Sequence, residues 1–106
     1  MAKYLWQISY TQDGMKGLMN EGGTGRRTMV EKLAQNMGGS VESFYFAFGD
    51  YDAYLIADFP SNVDVAAIAM NVGAAGAVSV KTTVLLTPEE IDEATNKVVE
   101  YRPPGT

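Results

Sequence analysis

Residues 41–59, VESFYFAFGDYDAYLIADF, place a polar turn between two runs of aromatic and aliphatic residues. Glycine and aspartate favour turn geometry, and the composition of the flanks is typical of buried strands. The stretch therefore predicts a β-hairpin with its tip at Gly49-Asp50-Tyr51-Asp52. Its strands are predicted from Ser40 to Phe48 and from Tyr51 to Phe59, where Pro60 ends the second one.

The segment before this hairpin begins with another strand. Apolar and polar residues alternate from Lys3 to Tyr10, which indicates a strand with one buried face. A short helix is predicted within Thr11 to Gly25, ending in a break at Gly22-Gly23-Thr24-Gly25. A second helix is predicted from Arg26 to Met37, because its apolar residues recur at intervals of three and four.

The boundaries of this second helix follow from local signals. Thr28 and Glu31 have the spacing of a capping box, so they are predicted to cap its amino terminus. Gly38-Gly39 is predicted to end it, because glycine favours the backbone geometry found after a helix.

Three more elements are predicted after the hairpin. Ser61 and Asp64 indicate the start of a helix that runs to about Asn71 or Gly73. The β-branched run from Ala77 to Thr87 indicates a fourth strand. Thr87-Pro88-Glu89-Glu90 has both a capping-box spacing and a proline at the first helical position, so a last helix is predicted from Pro88 to about Lys97.

The order β-α-β-β-α-β followed by a helix predicts an α+β fold of the ferredoxin-like type, in one domain spanning residues 1–106. In that fold both crossover helices cover the same face of the sheet. The strands contain large apolar residues that point to both faces of the sheet. Phe44, Phe46 and Phe48 are predicted to face one side, and Val41 and Tyr45 the other. We therefore expect the uncovered face to pack against a second copy of the chain, or else to be covered by the C-terminal helix.

Composition excludes several functional classes. The net charge of −5 disfavours nucleic acid and anionic membranes as partners. The chain has no cysteine and no histidine, which excludes thiol nucleophiles, imidazole bases and histidine-ligated metals. The longest weakly polar stretch, Val63 to Val80, is too short and too polar to span a bilayer, so we expect a cytoplasmic protein.

The sequence resembles the GYD-domain family of small, mostly bacterial proteins over nearly its whole length. The resemblance is carried by Lys3-Tyr4-Leu5, Ser9-Tyr10-Thr11, Gly14-Met15-Lys16-Gly17-Leu18, Glu21-Gly22-Gly23, Arg26-Arg27, Gly38-Gly39, Phe44-Tyr45-Phe46-Ala47-Phe48-Gly49, Tyr51-Asp52, Gly76-Ala77-Val78-Ser79-Val80 and Leu86-Thr87-Pro88-Glu89-Glu90. It implies a fold similar to that of dimeric α+β barrel proteins. It implies no particular reaction.

A first candidate site is the loop from Glu21 to Arg27. Free backbone N–H groups at a helix start, with Arg26 and Arg27 nearby, are suited to a carboxylate or phosphate. Alternatively, the glycines only redirect the chain and the arginines pair with acidic neighbours. The spacing matches neither a Walker A nor a dinucleotide-binding motif, and no cofactor is predicted.

A second candidate is the hairpin tip, where Asp50, Tyr51 and Asp52 could form an acid/base group. Two nearby carboxylates can hold different proton affinities, so that one acts as an acid and the other as a base. The alternative is that both aspartates serve only to form the turn. No loop is dense enough in ligands to predict a metal site.

A third candidate is a set of aromatic residues suited to lining a pocket for a hydrophobic ligand: Tyr4, Trp6, Tyr10, Tyr45 and Tyr54. The tyrosine hydroxyls and the basic residue Lys16 are suited to fixing the polar end of that ligand, whether it is aromatic or anionic. The alternative is that these side chains are core and interface. The sequence therefore supports two functions. The first is an oligomeric binding or accessory protein that holds a ligand with Trp6, Tyr10, Tyr45 and the basic residues Lys16, Arg26 and Arg27. The second is a cofactor-independent isomerase or monooxygenase with Asp52 as its base.

Overall fold

The computed structural model describes all 106 residues and contains four strands and four helices. The strands are β1 (Ala2–Tyr10), β2 (Ser40–Phe46), β3 (Ala53–Phe59) and β4 (Val78–Leu85). The helices are α1 (Gln12–Glu21), α2 (Gly23–Asn36), α3 (Asn62–Ala75) and α4 (Pro88–Thr95). All strand pairs are antiparallel in the order β2-β3-β1-β4, which confirms the predicted ferredoxin-like α+β fold.

Strand β1 lies inside the sheet and shows the predicted alternation. Tyr4, Trp6 and Ile8 are buried under the helices, whereas Leu5 and Gln7 point to the opposite face. Strand β3 alternates in the same way from Ala53 to Phe59. The core therefore lies between one face of the sheet and helices α2 and α3, and the buried residues are Tyr4, Trp6, Ile8, Val30, Ala34, Ala53, Leu55, Ala57, Phe59, Val65, Ile68 and Val78.

The hairpin is confirmed, but its strands are shorter than predicted. The connection runs from Ala47 to Asp52, closed by a 2.8 Å hydrogen bond from the Ala47 N–H to the Asp52 carbonyl. The predicted orientation of Val41 is wrong. A bulge between Val41 and Ser43 adds a residue to β2, so Val41 lies on the helix-covered side together with Phe44.

The break predicted over Gly22 to Gly25 is confined to Gly22. This residue has φ +84°, which glycine adopts without strain, and the chain turns there directly from α1 into α2. The next three residues form the first turn of α2, where the Arg26 N–H donates to the Gly22 carbonyl. Packing of Val30 and Ala34 against the sheet outweighs the low helix propensity of glycine.

The predicted cap at Thr28 is consequently wrong, because Thr28 lies inside α2. Its hydroxyl donates to the Thr24 carbonyl one turn earlier, at 3.0 Å. The caps predicted for the later helices are confirmed. Ser61 caps α3, and Thr87 and Glu90 form a reciprocal capping box at the start of α4.

The second face of the sheet has no helix on it. Its central side chains include Leu5 and Ile56, which are register partners, and Tyr54 on β3. Lys3, near one end, makes ion pairs with Asp58 at 3.1 Å and Glu42 at 3.2 Å. We call this surface the open face, defined by Lys3, Leu5, Gln7, Ser9, Ser40, Glu42, Ser43, Tyr45, Tyr54, Ile56, Asp58, Ser79, Lys81, Thr83 and Leu85.

Helix α4 does not cover the open face, because every one of its residues is exposed. The same is true of the chain after it, including Val98, Val99 and Tyr101. The radius of gyration is 17.0 Å, compared with about 13 Å for a compact chain of this length. Residues 86–106, here called the C-terminal arm, therefore extend away from the domain. None of the helices is both long and apolar enough to cross a bilayer.

Helix α1 sits directly against the start of β4, and Gly14 allows this contact. The Thr11 N–H donates to the Ala77 carbonyl at 3.0 Å, and the Thr11 hydroxyl accepts from the Gly14 N–H. A Cβ atom on Gly14 would lie 1.8 Å from the Ala77 carbonyl oxygen. The helix must therefore move if any side chain is added there.

We expect Gly14→Ala to destabilise the protein by about 1–3 kcal/mol or more, because the clash is with backbone that cannot turn away. Gly17→Ala is the matched control on the same helix, since a Cβ there meets nothing within 4 Å. It should stabilise by about 0.5–1 kcal/mol through helix propensity. Urea unfolding monitored by circular dichroism measures both changes, and equal stability of the two variants would contradict the close packing of α1.

Candidate functional site

An apolar cavity lies between the sheet and helices α2 and α3, and it encloses about 60 Å³. The four strands all contribute to its floor: Trp6, Ile8, Tyr10, Phe44, Leu55, Val78 and Val80. The two helices contribute its roof: Arg26, Met29, Val30, Leu33, Ile68, Ala69 and Val72. Arg26 is the one charged residue in this lining. We call this space the inner cavity.

The inner cavity follows β1, because alternate residues of that strand line it. Trp6, Ile8 and Tyr10 share one face of the strand, so the distance from the first to the last is about 13 Å at the usual rise per residue. Trp6 is only 5% exposed and marks the deep end. Tyr10 is half-buried and marks the end nearer to solvent.

Trp6 presents an unusual polar group at the deep end. Its ring packs against Phe59, with the ring centres 5.5 Å apart. Its indole Nε1 is buried and has no hydrogen-bond partner, and no other buried side-chain nitrogen or oxygen lacks one. A buried donor without an acceptor is costly, and such groups are rare in folded proteins. This donor is therefore a buried polar group that packing alone does not explain.

Beside the Tyr10 end of the inner cavity lies a second space, here called the outer cleft, of about 260 Å³. Tyr10, Arg26 and Val78 line both spaces. The outer cleft is more polar, because Asp13 and Glu21 of α1 also line it. The two spaces together form an apolar interior with a polar entrance.

Tyr10 and Arg26 interact at this entrance. Burial raises the pKa of the Tyr10 phenol above its usual value, while the charge and hydrogen bond of Arg26 act to lower it. Glu21 and Asp52 add a smaller upward effect. The phenol is therefore neutral at physiological pH and available both to donate and to accept a hydrogen bond.

The residues predicted for ligand binding fall into two groups in the structure. Trp6, Tyr10 and Arg26 line the inner cavity together. Lys16 is exposed on α1 and lines neither space, and Arg27 borders a shallow cleft beside Phe46. Tyr45 points to the open face and is 71% exposed.

The acidic residues of the hairpin tip do not face the inner cavity. The Asp52 carboxylate accepts a 2.8 Å hydrogen bond from the Tyr10 N–H, and the Asp52 N–H donates to the Ile8 carbonyl. Asp52 therefore fastens the hairpin tip to the end of β1. Asp50 is exposed, and Tyr51 packs edge-on against Tyr54 with ring centres 6.0 Å apart.

Sequence reasoning missed most of the cavity roof, including Met29, Leu33 and Val72. Their helical spacing predicted a buried face but not an empty volume beneath it. The available signal was the small residues of α3: Ala69 lines the cavity, where a larger side chain would fill it. Ala66 and Met70 are exposed positions of α3, so the size of their side chains does not indicate a cavity.

The family model described as GYD domain matches residues 4–95 of this chain. The match includes every residue that lines the inner cavity and the outer cleft. No curated protein and no solved structure matches the chain.

The contact between Tyr10 and Arg26 can be tested by titration. We expect Arg26→Met to raise the pKa of Tyr10 further, because burial remains while the favourable charge is lost. A raised pKa means that the folded state holds the phenolic proton more tightly than the unfolded chain does. The stability gained from this is complete below about pH 10 and is lost as the pH rises through the folded pKa.

Carbon-13 NMR of ring-labelled tyrosine follows this ionisation, and Tyr10→Phe assigns the signal. Arg27→Met is the matched control, because the neighbouring arginine lines a different cleft. A Tyr10 pKa that is the same in the wild type and in both variants would show that Arg26 does not lie at this entrance.

Proposed function

The chain belongs to the GYD-domain family, and from this membership and its inner cavity we propose that it is a dimeric protein that binds a small apolar molecule. The single observation that carries the proposal is that Tyr10, Arg26 and Val78 line both the inner cavity and the outer cleft. A ligand can enter between Tyr10 and Arg26 and place its apolar part along β1. Arg26 and the Tyr10 hydroxyl are suited to its polar end.

The dimensions limit the size of this ligand. A volume of about 60 Å³ holds only a few non-hydrogen atoms, since a dry cavity of about 150 Å³ accommodates benzene. The remainder of the ligand must occupy the outer cleft, which is several times larger. A slender molecule, with a short aliphatic chain or one edge of an aromatic ring inside, fits both spaces.

Binding is favoured over catalysis by the chemistry of the lining. A cofactor-independent isomerase or monooxygenase needs a base within hydrogen-bond reach of its substrate. No carboxylate lines the inner cavity, the Asp52 carboxylate is already engaged by the Tyr10 N–H, and Asp13 and Glu21 line only the outer cleft, outside the apolar interior. The lining supplies apolar contact and hydrogen-bond donors, which are the requirements of a binding site.

We expect protein purified from its own source to carry a small molecule that native mass spectrometry detects. Ala69→Leu should abolish this adduct, because the larger side chain fills the inner cavity. Ala66→Leu makes the same change at an exposed position of α3 and should retain the adduct. Absence of an adduct from all three proteins, with no thermal shift across a library of small apolar compounds, would contradict the binding function.

The proposed dimer rests on the open face. Leu5, Tyr54 and Ile56 form an apolar centre that no segment of the same chain covers. Ser40, Ser79 and Thr83 surround this centre. A centre of apolar side chains within a polar rim is the usual arrangement of a protein interface.

The C-terminal arm supports the same dimer. The four strands provide a face of about 500 Å² at the usual strand spacing and rise. A stable interface buries about 800 Å² on each partner, so the open face alone is too small. Ile91, Val98, Val99 and Tyr101 of the arm are exposed in the single chain. We propose that these residues pack on the second protomer and supply the remaining area.

Ile56→Asp should convert the dimer to a monomer, because it places a charge at the centre of the interface. Val63→Asp introduces the same charge on α3, where Val63 is 77% exposed, and should leave the dimer intact. Size-exclusion chromatography with light scattering gives the mass of each species. A wild-type protein that elutes with the mass of one chain at all concentrations would contradict the dimer.

A further inference from the structure

The charged residues of the open face lie at two opposite corners. The register places Lys81 of β4 beside Gln7 at one corner, and Glu42 of β2 and Asp58 of β3 lie at the other, here called the acidic corner. We propose that Lys81 of each protomer pairs with the acidic corner of the partner subunit, and that these two contacts fix the orientation of the two sheets. This inference rests on the proposed dimer and extends it to the way in which the second copy docks.

Lys81 has no acidic partner within its own chain. Both ion pairs of the structure involve Lys3, which contacts Asp58 at 3.1 Å and Glu42 at 3.2 Å. Two strand spacings and four residues of strand separate Lys81 from Asp58, so their Cα atoms are about 16 Å apart. This distance is too long for a contact between the two side chains. The acidic corner therefore carries one negative charge in excess, and Lys81 carries one positive charge without a partner.

These charges matter when the open face is covered. A charge that loses water without gaining a partner of opposite sign is unfavourable. Lys81 lies on the edge strand β4 and Glu42 on the edge strand β2, so both corners belong to the rim of the interface. Charges at a rim contribute more to the orientation and choice of a partner than to affinity. We therefore expect the two corners to select how the protomers are arranged.

A two-fold dimer has four principal ways of laying one open face on another. The face is nearly square, because its four strands span about 14 Å and the three open-face residues from Lys3 to Gln7 span about 13 Å. An axis along the strands sets Lys81 opposite Tyr45, and an axis across the strands sets it opposite Leu85. One diagonal axis sets Lys81 opposite its own copy. The other sets it opposite the acidic corner.

Only this last arrangement brings opposite charges together, and symmetry makes the contact twice. Its axis runs from Tyr45 to Leu85, so the strands of the two sheets cross at nearly a right angle, which is one of the two usual ways in which sheets pack. Leu85 is the last residue of β4, where the C-terminal arm leaves the sheet. The arm of each protomer therefore starts beside the sheet of its partner, as the proposed dimer requires.

Carbodiimide coupling tests the contact in the wild-type protein. The reagent joins an amine to a carboxylate only where the two groups touch, and Lys3 with Asp58 is the positive control within one chain. In a mixture of nitrogen-15-labelled and unlabelled protein, we expect mass spectrometry of the dimer to find Lys81 joined to Glu42 or Asp58 of the other chain. Coupling of Lys81 to a carboxylate of the C-terminal arm, or to none, would overturn the proposed orientation.

Charge reversal tests the same contact by partner choice. Lys81→Glu and Glu42→Lys should each weaken the dimer at least about tenfold, because each brings like charges together at both contacts. A one-to-one mixture should form more than the half share of heterodimer that random pairing gives, since both contacts then join opposite charges. Lys32→Glu and Glu31→Lys are the matched controls on exposed positions of α2 and should pair at random.

Native mass spectrometry counts the three dimers in each mixture, and circular dichroism verifies that the variants are folded. The failures of the two proposals are distinguishable. If the wild type is a dimer but the reversed variants of the open face pair at random, the orientation is overturned while the dimer stands. If the wild type has the mass of one chain at all concentrations, both proposals fall together.

Discussion

The structure depends on one geometrical constraint: helices α2 and α3 can cover only one face of a four-stranded sheet. The covered face holds the core, from Tyr4 at one end of β1 to Val78 at the start of β4. The other face exposes an apolar centre that includes Leu5 and Ile56. The fourth helix lies apart from it and leaves it uncovered. Burial of apolar area is the main favourable contribution to folding, and an uncovered face of this kind is typical of a surface that binds another protein.

The inner cavity follows from the way in which the covered face is packed. Aromatic and branched residues of the sheet meet a helix whose inward positions include the small Ala69. Helices cannot approach a surface more closely than their largest side chains allow, so a small residue between Ile68 and Val72 leaves room beneath it. The cavity meets the outer cleft at Tyr10, the last residue of β1, and Arg26 in the first turn of α2, which line both spaces. One packing arrangement therefore accounts for the core, the cavity and its entrance.

Sequence patterns predicted the features that depend on local chemistry. The alternation from Tyr4 to Tyr10 predicted which residues of β1 are buried, and the capping residues Ser61 and Thr87 fixed the starts of two helices. The bulge near Glu42 was not predictable, because it arises from pairing between strands and not from the composition of β2. The orientation of Val41 was consequently wrong.

The candidate site could be predicted only in part. Trp6 and Tyr10 follow directly from the alternation of β1. Arg26 and Arg27 are equivalent in the sequence, and consecutive helical residues point about 100° apart. Only the phase of α2, set by its start at Gly23 and the turn at Gly22, separates them. The unpaired N–H of Trp6 depends on all surrounding elements and left no trace in the sequence.

The central claim is that the open face is an interface in solution. The most direct measurement is the accessibility of the Leu5 and Ile56 methyl groups to a soluble paramagnetic agent, observed by NMR over a range of protein concentrations. The account predicts that both methyl signals are protected at the concentrations used for NMR, while the exposed Val63 methyl signals are accessible throughout. If Leu5 and Ile56 are as accessible as Val63 at every concentration, the open face has no partner and the account is wrong.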